Sequence, residues 1–146
     1  MKPFFFLFLF LTNFIFAQNI HINHKNGIAN EGYDVVSYFS GTPQKGSSKF
    51  TVKHHGVIYY FQNAQNKSKF QQNPERFLPQ YGGYCAYAIG SSSEKVEVNP
   101  KTYKITEGKL YLFYNKYFNN TLTSWNEDER NLKVKADKNW KKLTSK

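Results

Sequence analysis

The chain has one cysteine, Cys85, and four histidines, His21, His24, His54 and His55. Thiolate and imidazole together suit copper or zinc, so the first chemistry to weigh is metal binding. His21 and His24 stand three apart in a stretch without sustained periodicity, a spacing that could clip a divalent ion only loosely. His54 and His55 are consecutive in a strand and turn, where side chains alternate between faces unless one residue serves the turn itself. His55 is the turn residue in this reading, which leaves His54 and Cys85 as the candidate metal ligands. No paired CxxC spacing is present, and hydrolysis would need a base and an orienting group beside the thiol.

Cys85 lies within "PQYGGYCAYAIG", after Gly82 and Gly83 and among Tyr81, Tyr84 and Tyr87. If the chain turns into a short helix there, backbone N–H groups at the helix start would favour the thiolate, and the tyrosines could wall the sulfur. An exposed, activated thiol would be a redox centre, cycling through sulfenic acid or a mixed disulfide. A buried one would be packing, since free cysteine behaves as a small hydrophobe and has Ala86, Ala88 and Ile89 beside it. An odd cysteine in an exported chain could also bridge two copies. Asp34 beside Tyr33, and Asp137 before Trp140, are candidate polar anchors of the fold.

Export is expected from "MKPFFFLFLFLTNFIFAQ", where Lys2 precedes a short apolar run and Ala17 precedes a polar residue. This is the build of a signal peptide over residues 1–17, and the run is short for a bilayer span of about 20 residues. The expected location is periplasmic or secreted, with no stable membrane span after cleavage. Seven of the 14 phenylalanines lie in that segment and do not count towards a core. The remainder is one domain's worth of chain, rich in tyrosine, whose rings bury an apolar body and keep a polar tip. The formal charge of +10 is concentrated near the end, at Lys133, Lys135, Lys138, Lys141, Lys142 and Lys146. This basic face offers an acidic partner a surface. No aromatic-and-basic motif of an RNA-binding sheet accompanies it, so nucleic acid is not expected.

The elements that must position these residues follow from period and turn chemistry. Residues 18–30 read as a leader or an edge strand, and 33–39 are β-rich. "KFTVKHHGVIYYF", residues 49–61, is a hairpin turning at His55-Gly56. Its register puts Phe50, Val52, His54, Val57, Tyr59 and Phe61 on one face. Asn63 is the expected N-cap of a short helix anchored by Phe70, and Asn73-Pro74 ends that helix and opens another turn. A second hairpin, residues 103–114, pivots near Glu107-Gly108 and aligns Tyr103, Ile105, Leu110, Leu112 and Tyr114. Residues 121–143 form an amphipathic helix capped at Thr123 or Ser124, with Trp125, Leu132, Ala136, Trp140 and Leu143 on its apolar stripe. The expected fold is α+β: a small antiparallel sheet of two hairpins and an N-terminal strand, packed with short helices and a longer C-terminal one.

Four stretches, "GYDVVSYFSG", "GVIYYFQNAQNKSKFQQNPERFLPQYGGYCAYA", "GKLYLFYN" and "KADKNW", resemble YHS-domain proteins, in particular the small exported kind built around a YGGYC segment. The resemblance spans residues 31–143 within a single domain of residues 31–146. It implies a metal-binding module, because YHS domains accompany copper-transporting ATPases, and it names no reaction, because the family is defined by a sequence pattern. Metal-associated members carry a cysteine near the first strand and a cysteine pair after the tyrosine-phenylalanine strand. Here Gln62, Asn63 and Asn66 stand where that pair is expected. Some members of the exported branch are described as selenoproteins, and the matching position is Cys85, which implies redox or soft-metal chemistry there. The combined expectation is an exported binding module for a soft metal such as copper, or for zinc, through Cys85 with help from His54. A thiol redox protein and a structural or interaction domain with a basic helix are the alternatives.

Overall fold

A computed structural model describes residues 20–145, so the expected signal peptide lies outside the described residues. The fold is α+β, with three small sheets, two of which carry the two expected hairpins; the β-rich stretch 33–39 is not a strand but an isolated bridge at Tyr33 followed by a 3-10 turn at Ser37–Ser40. In the first sheet, β3 (Ser47–His54) and β4 (Val57–Phe61) pair antiparallel, with His54 opposite Val57 and Val52 opposite Tyr59. The two-residue turn between them puts His55 at φ 48° and Gly56 at φ 83°, the left-handed pair that matches the twist of a tight hairpin. The stretch read as a leader or edge strand supplies β1 (His24–Lys25) and β2 (Ile28–Ala29). Strand β2 lies parallel to β4, so this sheet is mixed, in the order β1-β2-β4-β3, rather than wholly antiparallel.

Two helices follow. Asn63 caps α1 (Ala64–Gln72) by accepting the Asn66 N–H at 2.8 Å. Pro74 starts α2 (Pro74–Phe77), where the missing N–H costs nothing. Phe70 and Phe77 close over Val57, Tyr59 and Phe61 to form one core cluster, with Val35 and Val36 beside them. The apolar face assigned to the first hairpin therefore faces this core.

The second hairpin is β5 (Asn99–Thr106) with β6 (Lys109–Phe113), and it forms a sheet of its own. Leu110 and Leu112 face a cluster with Tyr38, Cys85, Ala88 and Val98. Tyr111 and Phe113 face the opposite way, into a cluster with Trp125, Leu132 and Ala136. Strand β6 is thus buried on both sides, whereas alternation had marked only one side as core. Between the helices and this hairpin run a 3-10 turn at Gln80–Gly83 and α3 (Ala86–Ser92).

The C-terminal helix differs from its expected form. A small hairpin of β7 (Asn115–Lys116) and β8 (Asn119–Asn120) delivers Asn120 as the N-cap, accepting the Leu122 N–H at 3.1 Å. The cap is thus upstream of Thr123 and Ser124. The helix is split into α4 (Thr121–Glu127) and α5 (Glu129–Thr144) by Asp128, whose φ of −146° is non-helical. The break falls between Trp125 and Leu132, and both still reach the same core. Among the described residues, no helix is long and apolar enough to cross a membrane.

Candidate metal centre

The hairpin turn brings two imidazoles to one place. His54 ends β3, and the left-handed backbone at His55 swings the second ring back against the first, with centroids 4.0 Å apart. Alternation along a strand predicts opposite faces for neighbours, and it fails here because a positive φ reverses the chain at His55. Helix α2 supplies the third group. Glu75 follows Pro74 in the first turn, and its Oε1 lies 3.8 Å from His54 Nε2 and 3.7 Å from His55 Nε2.

One ligand atom from each residue lies within 4.8 Å of the others, the single such group of three among the described residues. Ligands of a tetrahedral zinc ion at about 2.1 Å stand about 3.4 Å apart, so small side-chain rotations suffice to close this group on an ion. His54 is the inner member: the edges of Phe70 and Tyr59 pack on its ring, at centroid distances of 5.6 and 6.4 Å. Its Nε2 is shielded from solvent and has no hydrogen-bond partner. An orphaned buried nitrogen is costly unless something fills its lone pair or takes its proton. Burial, and then the neighbouring His55, hold the His54 imidazole below its ordinary range, against a weaker opposing pull from Glu75. The neutral, metal-ready form is thereby favoured. His55 and Glu75 are largely exposed.

His55 and Glu75 also line a cleft of about 590 Å³. Its far wall is built from the tyrosine-glycine segment and α5: Tyr81, Gly82, Asp137 and Trp140. The Tyr81 hydroxyl donates to Asp137 Oδ1 at 2.8 Å, and burial, followed by that carboxylate, raises its ionisation well above the usual phenol. Gly82 has φ +62°, and a Cβ there would stand 2.0 Å from the His21 carbonyl. The backbone of residues 20–23 passes so close that only glycine fits, and the Asn23 N–H donates to the Gly82 carbonyl at 2.8 Å. Asn23 Nδ2 donates to the Gly83 carbonyl at 3.2 Å. Tyr84 and Trp140 share Lys95, whose ammonium sits 5.6 Å from each ring.

Cys85 is elsewhere. It stands at the N-cap position of α3, but its side chain makes no capping bond and is fully buried. Its sulfur accepts the Tyr114 N–H at 3.3 Å and lies 3.3 Å from Thr121 Oγ1. Thr121 spends its own hydroxyl hydrogen on the Tyr114 carbonyl at 2.8 Å, which assigns the remaining hydrogen to the thiol. Cys85, Thr121 and Tyr114 thus close a small hydrogen-bonded ring between α3 and the second hairpin. His54 packs in the other hairpin's core, so the structure does not bring the two sequence-derived ligands together. Tyr87 is half-buried between two core clusters and forms no open wall around the sulfur.

The remaining candidates have structural partners. Asp34 is fully buried; its carboxylate accepts from Val36 N at 2.9 Å, Gln62 N at 2.9 Å and Asn66 Nδ2 at 2.7 Å. It ties the first loop to the start of α1. Gln62 and Asn66, which stand where thiols were expected, are two of its donors. His21 meets Lys95 at 2.8 Å and the edge of Trp140, while His24 accepts the Gly27 N–H, so the two do not form a clip. Glu75, the candidate ligand that sequence reasoning missed, carries one local signal, an acid directly after a helix-opening proline. Compared with protein-family models, curated proteins and solved structures, the chain finds no match.

Proposed function

We propose that this chain is an exported, non-enzymatic metal-binding module of the YHS type that holds a divalent ion on His54, His55 and Glu75. The observation that carries the reading is the convergence of these three ligand atoms within 4.8 Å around the unpartnered His54 Nε2. Two imidazoles and a carboxylate are borderline-to-hard donors and suit Zn(II) or Cu(II) better than the soft Cu(I) that a thiol would favour. Three protein ligands leave a position free, and His55 and Glu75 open it towards the cleft under Tyr81 and Trp140. Cys85, sealed and hydrogen-bonded, fits neither a metal ligand nor a redox thiol in this conformation.

The test is a competition titration against a chromophoric chelator, with Zn(II) and Cu(II), on the chain starting at Gln18. Binding is expected, with His54→Ala and Glu75→Gln each weakening it about tenfold or more and Cys85→Ser leaving it unchanged. Failure to bind either ion, or equal affinity in the His54 and Glu75 variants, would remove the proposal.

A further inference from the structure

Among the described residues, four two-residue hairpin turns place both central residues at positive φ. Three are Asn26-Gly27, His55-Gly56 and Glu107-Gly108, with glycine second, as this turn type favours. The fourth, joining β7 to β8, holds Tyr117 at φ 52° and Phe118 at φ 61°. Left-handed backbone is an outlier for bulky side chains, and here two occur in succession. Neither ring is packed. Tyr117 is 88% exposed and Phe118 112%, the most exposed large hydrophobic residues among those described. An exposure above the extended reference marks a protruding tip.

The base of this hairpin is firmly held. Thr121 N donates to the Tyr114 carbonyl at 3.0 Å, and Asn115 Nδ2 donates to Thr102 Oγ1 at 3.0 Å. Fold stability thus accounts for the hairpin's base, while its tip carries conformational strain and exposed apolar surface that the fold does not use. Exposed Lys116 adjoins the tip, and exposed Lys101 adjoins Thr102 at its base. Lys25 and Lys45 share a surface depression with Lys116, where Glu31 and Glu97 also lie, and Lys45 spends its ammonium on the Glu31 backbone carbonyl. The whole chain has 20 basic against 10 acidic residues. A convex aromatic tip on a cationic molecule matches a soft anionic interface, where a phenol and a phenyl ring sit at headgroup depth while lysines meet the headgroups.

We propose that Tyr117 and Phe118 form an interfacial anchor that dips into an anionic lipid surface, with Lys116 and Lys101 on the headgroups. The anchor is independent of the metal reading. The test uses the chain starting at Gln18, which carries every element among the described residues, and vesicles of phosphatidylcholine with and without phosphatidylglycerol. Co-sedimentation is expected with the anionic vesicles and not with the neutral ones. In a Phe118→Trp variant, emission should shift to the blue and be quenched by brominated acyl chains. The double substitution Tyr117→Asn with Phe118→Gly installs the preferred turn pair, and should weaken vesicle binding about tenfold while raising the thermal midpoint. The proposal is overturned by absent binding to anionic vesicles, by an unquenched tryptophan, or by undiminished binding of the double variant. A lowered midpoint in that variant would overturn the strain argument on which it rests, and capture by a protein without lipid binding would reassign the tip.

Discussion

Replacing Cys85 by alanine separates packing from chemistry at the position that looked most reactive. The side chain is fully buried, so the substitution removes the sulfur's transfer free energy, about 1 kcal/mol for an atom of roughly methylene size. It also strands the Tyr114 N–H, whose acceptor at 3.3 Å is that sulfur; a buried unpaired donor costs about 1–3 kcal/mol, and Tyr114 is only half-buried, which argues for the lower half of that range. The expected loss is about 2–3 kcal/mol, a large share of an ordinary domain's stability. Urea denaturation followed by tryptophan fluorescence measures it, because Trp125 is completely buried and reports on the neighbouring core. Serine, which keeps an acceptor but with shorter reach, should recover part of the loss. In the native protein the thiol should react with an aromatic disulfide reagent only as fast as the domain opens. Metal affinity should be unchanged. Full stability or lost metal binding in the Cys85→Ala variant, or rapid reaction of the thiol in the native protein, would refute the assignment of this residue to the core.

Three further outcomes follow from other contacts. Asp34→Asn turns an amide NH₂ towards donors that now face a carboxylate, and should cost about 2–4 kcal/mol in the same urea titration; a loss below about 1 kcal/mol would show that the hub is not holding the loop to α1. Gly82→Ala meets the His21 carbonyl and an unfavourable φ together, so a loss of about 3 kcal/mol or more is expected, read as a fallen melting midpoint. Glu129→Gln removes the partner of Lys104, at 2.5 Å, and of Thr106, at 3.0 Å; burial raises the Glu129 carboxyl, but these donors outweigh it and hold it below its usual 4.5. Because the folded value is the lower one, its contribution is present above about pH 4.5 and fades as pH falls through the folded value. The gap between wild type and Glu129→Gln, about 1 kcal/mol near neutrality, should therefore close in acid unfolding curves, and a gap that persists at pH 2 would contradict the pairing.

The features legible in the sequence are those encoded within a few neighbouring residues. Asn63 caps α1 and Pro74 opens α2 because a side-chain oxygen and a missing N–H act on the adjacent backbone. His55-Gly56 and Glu107-Gly108 reverse the chain because their turn type demands positive φ, and the strand faces on either side then follow from a period of two. The stripe of Trp125, Leu132 and Ala136 was likewise readable, since helical spacing survives the interruption at Asp128. Position in space was not readable in this way. Whether Cys85 is exposed depends on Thr121 and Tyr114, which arrive from 36 and 29 residues away, and no local rule reports where distant segments close. His55 joins His54 only because the turn reverses its ring, and Glu75 joins both only because α2 folds back beside that turn. Turns, caps, apolar faces and ligand-bearing residue types are encoded within short stretches of chain. Which of those residues meet is a matter of long-range packing, which sets the distances on which coordination and reactivity depend.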